Sequence, residues 1–424
     1  MPEETPKPRR SRFGGAKSLS SNPDSNDGSK ASSSPNSVVK TRKARVISRL
    51  MNQIPDEILN NKELNESIKL LPSNYNFEIH KTVFNIKQKN AKRVCIQMPE
   101  GLLIYAPIIA DILGEFCSCE TLIMGDVSYG ACCIDDYTAR ALGCDFIVHY
   151  AHSCLVPIDI TLIKVLYVFV TIAIDETHLI NTIRLNFNQG SRIAIFGTIQ
   201  FNPSIHSACS KLQDESTGKL IYCYTPQIRP LSKGEVLGCT SAYLEPEQFD
   251  AMIYVGDGRF HLESAMIHNP KIPAFRYDPY SRKFTREGYD KKQMVEVRQE
   301  AVNIAKNAKK FGIILGALGR QGNNATVERL EEKLKSEGKI VVKIILSEIF
   351  PQKIAMFDDI DAFIQVACPR LSIDWGYAFN KPLLTPYEAM VLMEEDKQFN
   401  EDFYPMDYYE SKGYGRGEKP IRNI

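Results

Sequence analysis

Three cysteines, far apart along the chain, stand where an α/β protein does its chemistry: Cys133 in GDVSYGACCIDD, Cys239 in GEVLGCTS and Cys368 in FIQVACPRL. A thiolate is a nucleophile and a soft metal ligand, and three of them leave one position of a metal centre open to a substrate. Thiolates suit zinc and iron–sulfur clusters alike. Four cysteines ordinarily close a four-iron cluster, so a set of three leaves one iron available. Packing is the competing reading, because a chain with eleven cysteines carries several as small buried hydrophobes, Cys95 in the apolar run VCIQM among them. Cys132 adjoins Cys133, and the residues alone do not choose between them. Cys117 and Cys119 form a CxC with no second pair to complete it. No CxxC occurs, which argues against a zinc ribbon, and a local CxxxCxxC is also missing, so any cluster here uses dispersed ligands.

The elements that must position these thiols are strands and turns. An apolar run ending at Met124 predicts a strand, Gly125 and Gly130 permit a tight turn, and a helical pattern through Leu142 leads to a second strand over 146–149. Parallel sheets bind ligands beyond the carboxyl ends of their strands, which is where Cys133 falls. Two further turns qualify: Gly256, Asp257, Gly258 and Arg259, with His261 beyond, follow the strand 252–255, and Gly316, Arg320 and Gly322 follow the strand 313–315. Their glycines allow close approach to a ligand, and an arginine can grip a carboxylate in a fork. A tight turn with a solvated arginine is the alternative. His149, His152 and His261 are candidate bases or ligands, or satisfied core histidines.

Three openings, KRVCIQMPEGLL at 92, SRIAIFGTIQF at 191 and KKFGIILGALGRQG at 309, each join a basic residue to an apolar strand and a turn. They recur about 100 to 120 residues apart, the size of one α/β domain. We therefore expect an α/β fold of three related domains with mainly parallel sheets around a central site: 46–190 with N-terminal helices, 191–308 and 309–395. Each contributes a cysteine in an analogous place, and a pseudo-threefold axis would let them meet. Residues 1–45 read as a disordered tail and 396–424 as a capping segment and tail.

Lys plus Arg number 52 against 51 Asp plus Glu, a formal net charge of +1, which disfavours a polyanion binder. No stretch is long and apolar enough to span a membrane, and the first residues lack a secretory signal. A reducing, cytoplasmic setting is expected, so the cysteines are no disulfide framework.

The motifs LPSNYNFEIHKT, AKRVCIQMPEGLL, GDVSYGACCIDDYTARALGCDFIVHYAHSCLVPID, GEVLGCTS, GDGRFHLES, RYDPYSRKFT, LGALGRQGN, LSEIFPQKI and ACPRLSIDWGYAFNKPLLTPYEA run in order from about residue 71 to 409. Together they resemble the eukaryotic first-subunit branch of the 2-(3-amino-3-carboxypropyl)histidine synthases of diphthamide biosynthesis. The resemblance implies a triplicated α/β fold whose cysteines, here Cys133, Cys239 and Cys368, hold a [4Fe-4S] cluster. It further implies S-adenosylmethionine as co-substrate, its sulfur–Cγ bond cleaved by one electron and the 3-amino-3-carboxypropyl radical added to a histidine of translation elongation factor 2. By position, the cofactor contacts fall on Gly256, Asp257, Gly258, Arg259, Gly316, Arg320 and Gly322. The implied partners are a related second subunit in a heterodimer, elongation factor 2, and a small iron-protein electron donor with its reductase, with no direct nucleic acid and no membrane. The competing functions are a non-catalytic scaffold for a catalytic partner and a zinc-dependent α/β transferase.

Overall fold

The computed structural model describes residues 54–125, 130, 132–150, 156, 158–394, 399 and 404–406. The expected tail over 1–45, His152 and most of 396–424 lie outside the described residues.

Short apolar runs form strands buried on both faces, as parallel sheets covered by helices require. β1 Arg93–Gln97, β2 Glu120–Ile123, β3 Phe146–Tyr150 and β4 Lys164–Val168 make a parallel sheet in the order β2-β1-β3-β4. β5 Arg192–Gly197, β6 Tyr222–Tyr224, β7 Ala251–Val255, β8 Ala274–Asp278 and β9 Lys283–Glu287 make a second, ordered β9-β8-β7-β5-β6, in which the β8–β9 pair is antiparallel. β10 Lys310–Gly316, β11 Ile340–Leu346, β12 Ala362–Val366 and β13 Leu383–Leu384 make a third parallel sheet, ordered β11-β10-β12-β13. The registers correspond: Val94 sits between Thr121 and Phe146, Ile193 between Cys223 and Ala251, and Phe311 between Val341 and Ala362.

Within each sheet the second strand lies outside the first and the third lies on its other side. The order reverses between first and third strands, and ligands bind past the strand ends at such a reversal. One device recurs in all three units. An aspartate just ahead of the third strand accepts backbone N–H groups at the start of the first: Asp145 from Lys92 and Arg93, Asp250 from Arg192, and Asp361 from Lys309 and Lys310. Each aspartate satisfies amides that the sheet leaves unpaired at its lower edge.

Helices cover the faces. Ile79–Lys89 and Ala106–Cys117 bury Val83, Ile109 and Leu113 against Val94 and Ile96, and Asn202–Leu212 does the same in the second unit through Ile205 and Leu212. The helix Lys291–Ala305, which the expected boundary at 308 put in the second unit, packs instead into the core of the third through Val302 and Ala305 and is tied to Pro386–Met393 by a buried fork from Arg298 to Glu388, at 2.6 and 2.7 Å. The Tyr404 hydroxyl, wholly buried, donates to the same Glu388. No helix among the described residues is long and apolar enough to cross a membrane.

The expected equivalence of the three cysteines is corrected. Cys132 and Cys133 follow the second strand of their unit and Cys239 lies between the second and third strands of its own, whereas Cys368 directly follows the third strand, β12. The apolar run over 166–174 forms two strands: β4 ends at Val168, and Thr171–Ile172 pairs with Tyr75–Asn76.

Candidate metal centre

The first cysteine loop is fixed through its peptide groups. Gln97, the last residue of β1 and buried, donates Nε2 to the Cys133 carbonyl at 2.9 Å, while its Oε1 accepts the Asp135 amide at 3.3 Å and hydrogen-bonds His149 Nδ1 at 2.9 Å. His149 is thus engaged within the core. Asp135 then caps the helix Asp136–Ala141 by accepting the Thr138 amide. Cys133 is buried and Cys132 half-buried, their sulfurs 3.9 Å apart.

The third unit lies directly on this loop. Gly319 has a φ of 54°, and a Cβ there would stand 2.6 Å from the carbonyls of Cys133 and Ile134, so only glycine fits the approach. The next residue, Arg320, donates its amide to the Cys132 carbonyl at 3.1 Å. Its guanidinium forks onto the buried Asp136 at 2.8 and 2.7 Å, reaches the Ile160 carbonyl at 3.1 Å and lies over the Tyr137 ring at 4.1 Å. Burial pushes the Asp136 carboxyl up, but the Arg320 fork and the Leu162 amide more than offset it and hold the group below the usual carboxylate range.

Cys239 follows Gly238, whose α-carbon lies against the Phe260 ring with no room for a side chain. Its thiol is 3.5 Å from the Thr240 hydroxyl. Cys368 lies just beyond β12 and is the N-cap of the helix Pro369–Trp375. Buried Gln365 donates Nε2 to the Cys368 carbonyl at 2.9 Å and to Ser372 Oγ at 3.0 Å. Burial first, and then the nearby Cys132 thiol, push the Cys368 thiol up to about 11.

Arg370, two residues on, joins this loop to the second unit. Its Nη1 donates to the carbonyls of Gly238 and Phe260 at 3.1 and 2.7 Å, Nη2 meets Glu263 at 2.5 Å, and Nε lies 2.9 Å from both Asp374 oxygens. The guanidinium stacks over the Phe260 ring at 4.3 Å. Gln97, Gln365 and Arg370 were not singled out from the sequence. Their signal is a long polar side chain in or just beyond an apolar strand.

The other turns are built from close backbone packing. Gly258 has a φ of 63°, and Gly316 lies so near Ala367 that an added Cβ would come within 2.6 Å. Gly256 abuts Tyr254 and Gly322 abuts Leu315. Arg259 donates to the Gly288 carbonyl at 2.8 Å and pairs with Glu263 and Glu287 at 3.5 and 3.3 Å, while Asp257 is exposed. Both expected carboxylate-gripping arginines, Arg259 and Arg320, are therefore engaged by the chain's own carboxylates.

No three His, Cys, Asp or Glu side chains among the described residues converge tightly enough for a single metal ion. A cluster makes a different demand, since each thiolate ligates its own iron and the sulfurs stand apart. The cysteine-bearing loops of the three units are joined through Arg320 and Arg370, the kind of linkage that dispersed cluster ligands would need.

A family profile described as "Putative diphthamide synthesis protein" matches residues 98–405. The chain belongs to this diphthamide synthesis family. Among members of the family, 2-(3-amino-3-carboxypropyl)histidine synthase subunit 1 of Debaryomyces hansenii is 74% identical over 91% of this chain and 91% of its own length. The protein of the same name from Saccharomyces cerevisiae is 67% identical over 99% of each chain. A solved diphthamide synthesis protein, Dph2 from Pyrococcus horikoshii with a 4Fe-4S cluster, superposes with a TM-score of 0.63 at 27% identity, covering 77% of this chain and 93% of that one. A second crystal structure of the same archaeal protein gives 0.63 at 26% identity over 82% and 96%. The curated relatives are synthase subunits numbered 1, a name that implies further subunits.

Proposed function

We propose that this chain is the iron–sulfur subunit of a 2-(3-amino-3-carboxypropyl)histidine synthase acting in the cytoplasm, in which Cys133, Cys239 and Cys368 hold a [4Fe-4S] cluster and S-adenosylmethionine is the co-substrate. The observation that carries the reading is the bracing of three dispersed cysteine loops by the side chains of Gln97, Gln365, Arg320 and Arg370, each set on a peptide carbonyl or a neighbouring carboxylate. When bound, the cluster would supply the electron that cleaves the sulfur–Cγ bond and frees a 3-amino-3-carboxypropyl radical for a histidine of translation elongation factor 2.

The chain's own residues would position and shield. The turn Gly256, Asp257, Gly258, Arg259 and the turn with Gly316, Arg320 and Gly322 end strands of two units, and S-adenosylmethionine is assigned to them. With Arg259 and Arg320 already paired, the exposed Asp257 is the residue left to meet the ammonium group of that substrate. The second subunit and a small iron-protein electron donor with its reductase complete the system.

The test is anaerobic reconstitution of the complex co-expressed with the second subunit, followed by iron and sulfide analysis. Wild type should carry about four irons per cluster-bearing chain, and Cys133→Ala, Cys239→Ala and Cys368→Ala in this chain should each lose cluster and turnover. Full clusters in all three variants sink the ligand assignment, unchanged turnover favours a scaffold, and zinc without iron favours the zinc transferase.

A further inference from the structure

We propose that Arg370 and Arg320 are positioning residues of the cysteine centre: from loops of the third unit they hold the cysteine-bearing turns of the second and first units at fixed spacing from Cys368. The consequence for a cluster rests on the function proposed above; the geometry does not.

Arg370 is 2% exposed, and burying a guanidinium is costly unless every N–H is answered. Asp374, on its own helix, already supplies a carboxylate. A purely balancing arginine would need little more. Arg370 instead directs Nη1 to two peptide carbonyls of the second unit, one of them Gly238, the residue joined to Cys239. Phe260 closes the arrangement, since its ring lies both against Gly238 and under the guanidinium. The path from Cys368 to Cys239 is thus two residues, one hydrogen bond of 3.1 Å and one further residue.

Arg320 does the corresponding work on the first unit. Its amide holds the Cys132 carbonyl, its fork holds Asp136 at the start of the next helix, and Gly319 lets the turn lie flat on Cys133. Both guanidinium groups grip peptide carbonyls and flanking carboxylates, and the Arg370 backbone N–H also reaches the Cys368 thiol. Arg298 supplies the control: it is equally buried and equally forked, yet its partners are Glu388 and the Leu383 carbonyl within the third unit.

The experiment uses the full chain co-expressed with its second subunit and handled without oxygen. Arg370→Met, Arg370→Lys, Arg320→Met, Glu263→Gln and Arg298→Met are compared by thermal unfolding, iron retention against a chelator, and the electron paramagnetic resonance of the reduced cluster. Cluster-free samples are treated with dibromobimane, and the Cys239–Cys368 cross-link is measured by peptide mapping. We expect Arg370→Met and Arg320→Met to retain iron roughly tenfold less well, as removal of outer-shell support does, with shifted resonance values. Arg370→Lys should recover part of the loss, and Cys239–Cys368 cross-linking should fall by more than half in Arg370→Met. Arg298→Met should lower the melting temperature and leave the spectrum per iron unchanged. Folded Arg370→Met and Arg320→Met with wild-type retention, spectrum and cross-linking overturn the proposal. Should Arg370→Met fail to fold, Glu263→Gln decides, and an unaltered spectrum and cross-link there overturn it equally. Should wild type bind no iron, the proposed function fails, and the cross-link comparison alone decides the positioning role.

Discussion

Gln97 and Gln365 make the same bond in different units: each sits at the carboxyl end of a buried strand and donates Nε2 to a cysteine carbonyl at 2.9 Å, Gln97 to Cys133 and Gln365 to Cys368. Replacing either amide by leucine keeps the volume and removes the donor. A buried carbonyl left without its partner costs about 1–3 kcal/mol. Gln97→Leu and Gln365→Leu should each lower the unfolding free energy in urea by about that amount, and their reconstituted iron content should fall below wild type. A Gln365→Leu protein with wild-type midpoint and iron content would contradict the pin.

The Arg320–Asp136 fork predicts strong coupling. Asp136 is fully buried while Arg320 keeps 16% of its side chain exposed, so removing Arg320 strands a buried carboxylate at roughly 3–5 kcal/mol. Arg320→Met should show a loss of that size in urea denaturation, and Asp136→Leu a smaller one, since the freed guanidinium can reach water. The double variant should lose much less than the sum of the two. Additive losses would mean that the two side chains act separately.

Acid should destabilise the second unit through His268. It is wholly buried, hydrogen-bonded to Ser241 Oγ at 2.5 Å, and burial, with the Lys291 charge adding, lowers its pKa from 6.5 to about 4. The folded value lies below the unfolded one, so the unfolded chain binds more protons between them. Stability is then fully present above about pH 6.5 and is lost as the pH falls toward 4, a total of roughly 3 kcal/mol. Urea midpoints measured from pH 8 downward should show this slope, and His268→Gln should flatten it over that window.

Tyr404 closes a buried set of charges. Its hydroxyl donates to Glu388, which also accepts the Arg298 fork and the Thr385 amide. Tyr404→Phe keeps the ring against Tyr387 and removes one donor to a carboxylate, a loss of roughly 1.5–3 kcal/mol. Differential scanning calorimetry should register a lower melting temperature; an unchanged one would place the C-terminal segment outside the cooperative core.

The strands that carry the sheets were legible because burial on both faces leaves a near-continuous apolar run, as in β3, β7 and β12. The antiparallel pair β8–β9 was not, since an edge ribbon such as KFTRE mixes charged and apolar side chains. The cysteines stood out by residue type, yet their unequal places, two after second strands and one after a third, depend on strand order, which periodicity does not encode. The pins were hidden for a related reason. Arg370 meets a carbonyl 132 residues away and Arg320 a carboxylate 184 residues away, and a polar residue near a strand end looks the same whether it faces solvent or another unit. The repeated aspartates at 145, 250 and 361 could have been found, since each directly precedes a third strand and follows its basic opening by a similar interval.

The ties around the cysteine turns run through glutamine amides and arginine forks to carbonyls and neighbouring carboxylates. Small domains held by metal alone carry their skeleton in the ligands themselves. In this polypeptide the hardware is spread over other positions as well, so an inherited change at a glutamine or arginine far from any sulfur can unmake the same place.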